Sequence, residues 1–263
     1  MTGIQDISWL DLTLGYLLLI APIVVFRYYK TGMLKPTLIA VGRMTLQLFL
    51  VGLYLQFIFN LNKAWINIAW VLVMIVIASF DIIRRSGLNR KLFQIPVLLA
   101  ITVSIIFIDL YFLGVVVKLD YLFDARYFIP ITGMLIGNCL SINVMALTTL
   151  YKTLDRETVQ YRFALANGAT RGEALRPYIS EALQRALTPL IATTAVVGLI
   201  SLPGMMTGQI LGGSDPTVAI KYQIMIMISV LVTSLLSVIL AMVISNHFVF
   251  DETDLPKRRL VKR

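Results

Sequence analysis

The chain has 263 residues, of which 58% are hydrophobic, with a mean hydropathy of +0.84 and a formal net charge of +9. That apolar fraction excludes an ordinary soluble domain, and apolar runs that are continuous instead of alternating exclude a transmembrane β-barrel. The expected class is all-α: a polytopic integral membrane protein with about seven transmembrane helices and a helical cytoplasmic loop.

Windows of about 20 residues with few charges suffice to cross a ~30 Å hydrocarbon core. They fall at 12–27, 38–59, 64–83, 94–117, 127–150, 188–211 and 218–246. The first has neither a basic leader nor a small-residue cleavage site and reads as a retained helix. Arg27, Lys30 and Lys35 follow it, whereas Lys63 stands alone after the second span. Arg84, Arg85, Arg90 and Lys91 follow the third; Lys118 and Arg126, balanced by Asp120 and Asp124, follow the fourth. Lys152, Arg156, Arg162, Arg171, Arg176 and Arg185 lie in the 5–6 loop, Lys221 at the 6–7 turn, and five more basic residues in the tail. Rich and poor loops alternate, which predicts an N-terminus outside and a C-terminus in the cytoplasm. The net charge therefore reads as a topology signal and not as nucleic-acid binding. Residues 1–250 form the transmembrane domain, with 152–187 as a cytoplasmic loop within it. The basic tail, 251–263, can touch anionic lipid.

Polar groups within spans usually face the bundle interior or a water-filled path. Arg43 lies about 8 Å into span two, where it can line a path or snorkel to the interface. Gln47 follows one turn deeper on the same face. Asp109, in the outer part of span four, can pair with Arg126 or reach the interface. Span five is the most polar, and Gly133 and Gly137 form a G-x-x-x-G pair permitting close helix approach. Asn138 and Ser141, with Asn143 nearby, either bond across a packed interface or line a path. Cys139, the lone cysteine, reads as a small apolar filler. His247 sits at the cytoplasmic end of the last span.

The 5–6 loop, 151–190, reads as two helices with a sharp joint. Asp155 can cap the first, and Gly168 can close it in a left-handed conformation. Thr170 opens the second, with Glu173 three positions on completing a capping box. Leu175, Tyr178, Ile179, Ala182, Leu183 and Leu187 then share one face. Pro177 should kink or delay that helix. From capping alone, the loop is either a docking device or a helical extension packed on the bundle.

Span six then breaks at Pro203-Gly204, about 22 Å of helical rise from Thr188. Irregular backbone at that depth survives only against protein or water, so the break should face the bundle near the outer mouth, with Gln209 beyond it. Met205 and Met206 are soft thioethers that can either meet a metal ion or fill gaps. Thioethers suit Cu(I) better than iron, and the spans hold no His and almost no carboxylate.

ALANGATRGEAL, 164–175, resembles the cytoplasmic coupling loop of ABC transporter permeases. The resemblance implies that Ala164, Leu165, Ala166, Gly168, Ala169, Thr170, Glu173 and Ala174 dock a separate ATP-binding subunit. The acidic residue that often opens the motif is replaced by the neighbourhood of Arg162 and Phe163. VGRMTLQLFLVG (41–52), IPITGMLIGNCLSINVMAL (129–147) and VGLISLPGMMTGQILGGSDPTVAIKYQIMIM (197–227) are similar to the permeases of Fet-type iron-export systems and of plant aluminium tolerance. The likeness runs from about 38 to 245.

This resemblance implies an inner-membrane subunit, working as a homodimer, that exports a metal ion or metal chelate. ATP and Mg would bind the partner subunit and no cofactor this chain. No G-x-x-x-x-G-K-[ST] occurs here, so the chain makes no phosphate-binding P-loop. Read from their cost in hydrocarbon, Arg43, Gln47, Asn138, Ser141, Pro203, Gly204 and Gln209 are the candidate path or hinge residues, and Met205 and Met206 the candidate metal contacts, with gap-filling as their alternative. The rival expectation is an ATP-independent channel or secondary transporter whose loop binds another partner.

Overall fold

A computed structural model describes residues 6–257 and Leu260. Those residues are almost entirely helical and contain no β-strand. Ten α-helices occur among them: α1 (Trp9–Gly15), α2 (Ile20–Tyr28), α3 (Leu34–Leu61), α4 (Ala64–Ser86), α5 (Arg90–Asp109), α6 (Ala125–Arg156), α7 (Thr158–Ala166), α8 (Arg171–Val196), α9 (Gly204–Leu211) and α10 (Pro216–Val249). A 3-10 turn, Tyr16–Leu19, joins α1 to α2, and a π-helical stretch, Leu110–Val116, extends α5.

The helix ends follow local chemistry. Asn89, Asp124 and Asp215 each accept a backbone N–H in the first turn of α5, α6 and α10, filling one of the donors a helix start leaves open. Pro216 sits at the start of α10, where its missing N–H costs nothing. Asn62 ends α3 in the left-handed conformation. Its Oδ1 accepts from the Ala125 N–H at 2.9 Å, tying the α3–α4 turn to the start of α6.

Among the described residues, six helical segments are long and apolar enough to cross a membrane: Trp9–Tyr28, Leu34–Leu61, Ala64–Ser86, Arg90–Val116, Ala125–Arg156 and Pro216–Val249. The seventh expected span, 188–211, is not one helix. Helix α8 stops at Val196, an irregular link covers 197–203, and α9 resumes at Gly204. The break begins earlier than the Pro-Gly pair predicts, because Gly198 turns the chain at φ +88°. Pro203 is the N-cap of α9, not a kink. Together α8 (26 residues) and α9 (eight) match the 34 residues of α10. The link also lies at the surface of this chain, with Leu199, Ile200 and Leu202 exposed, and does not face the bundle.

One hydrophobic core joins α4, α5, α6, α8 and α10. Lipid tails are as apolar as leucine, so membrane helices associate through close packing and polar contacts. Accordingly α10 buries Ser237, Ala241 and Ser245 at four-residue spacing. Asn143 of α6 donates to Ser237 Oγ at 2.8 Å. Helices α1 and α2 bury no residue and α3 buries only Ile58, near its end, against Ala125 and Ile129.

Candidate functional site: the α7–α8 joint and the open faces

The joint between α7 and α8 is built from residues 164–174. Gly168 has φ +91°, a conformation side chains disfavour. The Ala169 N–H bonds back to Ala164 O at 3.1 Å and the Gly168 N–H to Leu165 O at 3.0 Å, a helix closure of the left-handed type. Thr170 then caps α8. Glu173 N–H donates to Thr170 Oγ1 at 3.3 Å and Thr170 N–H to Glu173 Oε2 at 2.8 Å. These bonds from Thr170 hold the Glu173 carboxyl below the ordinary glutamate range. The capping box is therefore intact at neutral pH and is lost only on acidification through that lowered range.

Two expectations about this loop are corrected. Asp155 caps nothing, since α6 runs on to Arg156 and α7 starts after Glu157 without a side-chain cap. Pro177 does not delay α8, which starts at Arg171 and runs on through it. The apolar face of α8 is as expected: Leu175, Tyr178 and Ala182 are buried, with Ile179, Leu183 and Leu187 packed alongside. Helix α7 buries only Tyr161. Val159 and Phe163, one turn apart, are 79% and 70% exposed. Ala166, Gly168, Thr170 and Glu173 are also exposed, Ala164, Leu165 and Ala169 are half-buried, and Ala174 is buried.

The polar residues of the spans divide into two sets. Asn143 faces inward, bonded to Ser237 as above. Asn138 bonds only its own helix, Nδ2 to Met134 O at 2.9 Å. Gly137, Ser141 and Met145 form an exposed stripe on α6, with Asn138 half-buried beside it. Of the glycine pair, a Cβ on Gly133 would meet Met74 at 3.1 Å, whereas one on Gly137 meets nothing. Arg43 and Gln47 are exposed on α3, and no carboxylate pairs with Arg43 among the described residues. No hydrogen bond among the described residues joins Arg43 or Gln47 to Asn138, Ser141 or Gln209. On α9, Met205 packs against the core, Met206 is half-buried, and Gln209 Oε1 is buried without a partner. No group of three or more His, Cys, Asp or Glu occurs among the described residues.

Cys139 is buried, as its filler role requires, and His247 is exposed, its Nδ1 3.3 Å from Val243 O. Asp109 pairs neither with Arg126 nor with the interface. It is buried, and Thr132 donates to its Oδ2 at 2.6 Å. It lies on the wall of an otherwise largely apolar cavity of about 320 Å³ that includes Val71, Thr102, Leu113 and Phe128. Its other oxygen has no partner. Thr132→Val removes that donor and is expected to destabilise the chain by ~1–3 kcal/mol, the cost of an unsatisfied buried polar group. Reversible unfolding in detergent measures this, and Asp109→Leu/Thr132→Val should recover part of the loss.

Sequence reasoning missed the fold-back of the tail. Residues 250–257 pack on the α7–α8 joint, a contact between positions some 90 apart that no local pattern announces. The basic residues Arg258, Arg259, Lys262 and Arg263 lie outside the described residues.

Residues 9–250 match the uncharacterised protein family UPF0014. The chain is 32% identical to the UPF0014 membrane protein slr1647 of Synechocystis, over 89% of this chain and 90% of that one. It is 34% identical to the probable iron export permease protein FetB of Escherichia coli, over 88% of each. It is 36% identical to the protein ALUMINUM SENSITIVE 3 of Arabidopsis thaliana, over 72% of this chain and 67% of that one. No solved structure matches.

Proposed function

The chain belongs to the UPF0014 family of membrane proteins, and on that premise we propose that it is the permease subunit of an ATP-driven ABC transporter that exports a metal ion or metal chelate. The observation that carries this reading is the α7–α8 joint. It is capped on both sides, it leaves Val159 and Phe163 uncovered, and it leads through one continuous helix, α8, into the irregular link 197–203. A soluble subunit that closes on α7 would thereby pull directly on the broken segment. That subunit supplies the P-loop and binds ATP and Mg, since this sequence has no P-loop of its own.

A second copy of the chain completes the membrane part. Arg43 and Gln47 on the nearly unpacked α3, the Gly137–Ser141 stripe of α6 and the exposed link are costly against lipid. A homodimer that places these surfaces against each other covers them and encloses a path. Export of iron is suggested by the name of the Escherichia coli relative. With no cluster of three or more His, Cys, Asp or Glu among the described residues, the path would hold the metal weakly or pass it as a chelate. Met205 packs in the core, which favours its gap-filling role; Met206 is the freer of the two. The protein would lie in a bacterial inner membrane with its C-terminus and α7 in the cytoplasm.

Cells lacking the chain should retain more of one metal among iron, copper, zinc, manganese and aluminium. Deleting the partner ATPase should give the same phenotype. Unchanged retention of all five would refute export.

A further inference from the structure

Beyond the covalent route through α8, the folded tail ties the joint to two other elements. After α10 the chain reverses at 250–257. Asp251 Oδ1 accepts from the Thr253 and Leu255 N–H groups, both at 2.9 Å, and the Lys257 N–H returns to Val249 O at 2.9 Å. This turn presents Asp254 to both sides of the Gly168 joint. On the α7 side, Tyr161 Oη donates to Asp254 O at 2.8 Å. On the α8 side, Arg171 Nη1 lies 3.0 Å from Asp254 Oδ1.

Phe250 fills the space between. It is buried, its ring centre 5.9 Å from that of Tyr161 and 5.6 Å from the Arg171 guanidinium carbon. Tyr161 is 1% exposed and is the one buried residue of α7. Burial first, and the Asp254 carboxylate second, push its hydroxyl up to about 12, so it remains a donor at neutral pH. Farther on, Leu260 is buried and its carbonyl accepts from the Asn89 N–H at 3.0 Å, at the α4–α5 turn.

We infer that residues 250–257 are a clamp that sets the angle between α7 and α8 and links the joint to α10, with Leu260 resting on the α4–α5 turn. Asp254 and Phe250 are its positioning residues, with Tyr161 and Arg171 as the groups they hold. One residue bonds the helix before the joint through its carbonyl and the helix after it through its carboxylate. Displacing α7 therefore either drags the end of α10 along or breaks the clamp. The half-exposed ion pair contributes little alone; the buried ring and the tyrosine bond supply the grip. The clamp itself is read from the fold, and only its role in coupling rests on the transporter reading above.

Hydrogen exchange of the purified full-length protein in lipid discs tests this. Truncation after Val249 should speed exchange in 158–169 and at the α4–α5 turn on the order of tenfold, leaving α5 and α6 unchanged. Arg171→Glu should act in the same direction but less, and Arg171→Glu/Asp254→Arg should restore it. If the truncated chain does not fold, Phe250→Ala with the charge-swap pair gives the same comparison. Unchanged exchange in α7 in these variants would overturn the clamp. Faster exchange in a protein that engages no ATPase would uphold the clamp and count against the transporter reading.

Discussion

If the chain is the proposed transporter, Gly168→Val is expected to cut metal export at least about tenfold while leaving the membrane bundle folded. The residue sits at φ +91°, where a β-branched side chain costs on the order of 1–3 kcal/mol. A Cβ there meets no atom within 4 Å, so the cost is conformational and not steric. The chain would escape it by rotating the joint, which would break the Ala169–Ala164 bond and turn α7 away from α8. The buried face of α8, from Leu175 to Leu190, is untouched. The expected result is a protein of normal abundance, with metal export reduced at least about tenfold and ATP hydrolysis by the partner no longer responsive to the permease. Gly168→Asn, better tolerated at positive φ, should retain more activity than valine. Full export with valine would show that the joint does not transmit.

Gly137→Leu is expected to have a comparable effect for a different reason. Within one chain Gly137 is exposed and an added Cβ meets no atom within 4 Å, so the monomer should fold and extract normally. In the proposed homodimer it would fill the exposed stripe beside Asn138 and Ser141, and transport should fall on the order of tenfold or more. Gly133→Ala is the control. Its Cβ would lie 3.1 Å from the flexible end of Met74, which gives a modest loss of stability without a block in the path. Transport measured beside unfolding midpoints separates the two. If Gly137→Leu transports normally, the α6 stripe faces lipid and the path lies elsewhere.

What could be read beforehand and what could not follow from the range of the interactions. The Thr170–Glu173 box, the Gly168 turn and the α8 face are encoded within a few residues, and all three are present in the structure. Where the break in span six lies depends on Gly198 as well as Pro203, and a glycine within an apolar run gives no sign of taking a positive φ. Asp155 looks like a cap but is overridden because α6 packs along its whole length, through Leu150, Tyr151 and Leu154, and simply continues. The division between inward Asn143 and outward Asn138 and Ser141 rests on the rotation of α6 against α10. The Asp254 contacts to Tyr161 and Arg171 are long-range and carried by side chains that look like ordinary loop residues.

The most direct test of the account is transport by the purified chain, reconstituted in lipid vesicles with its P-loop ATPase facing the added nucleotide. The predicted result is movement of one metal away from the ATPase side that requires ATP and Mg, requires both proteins and is lost with Gly168→Val. Metal movement by the chain alone at the same rate, indifferent to ATP, would contradict it.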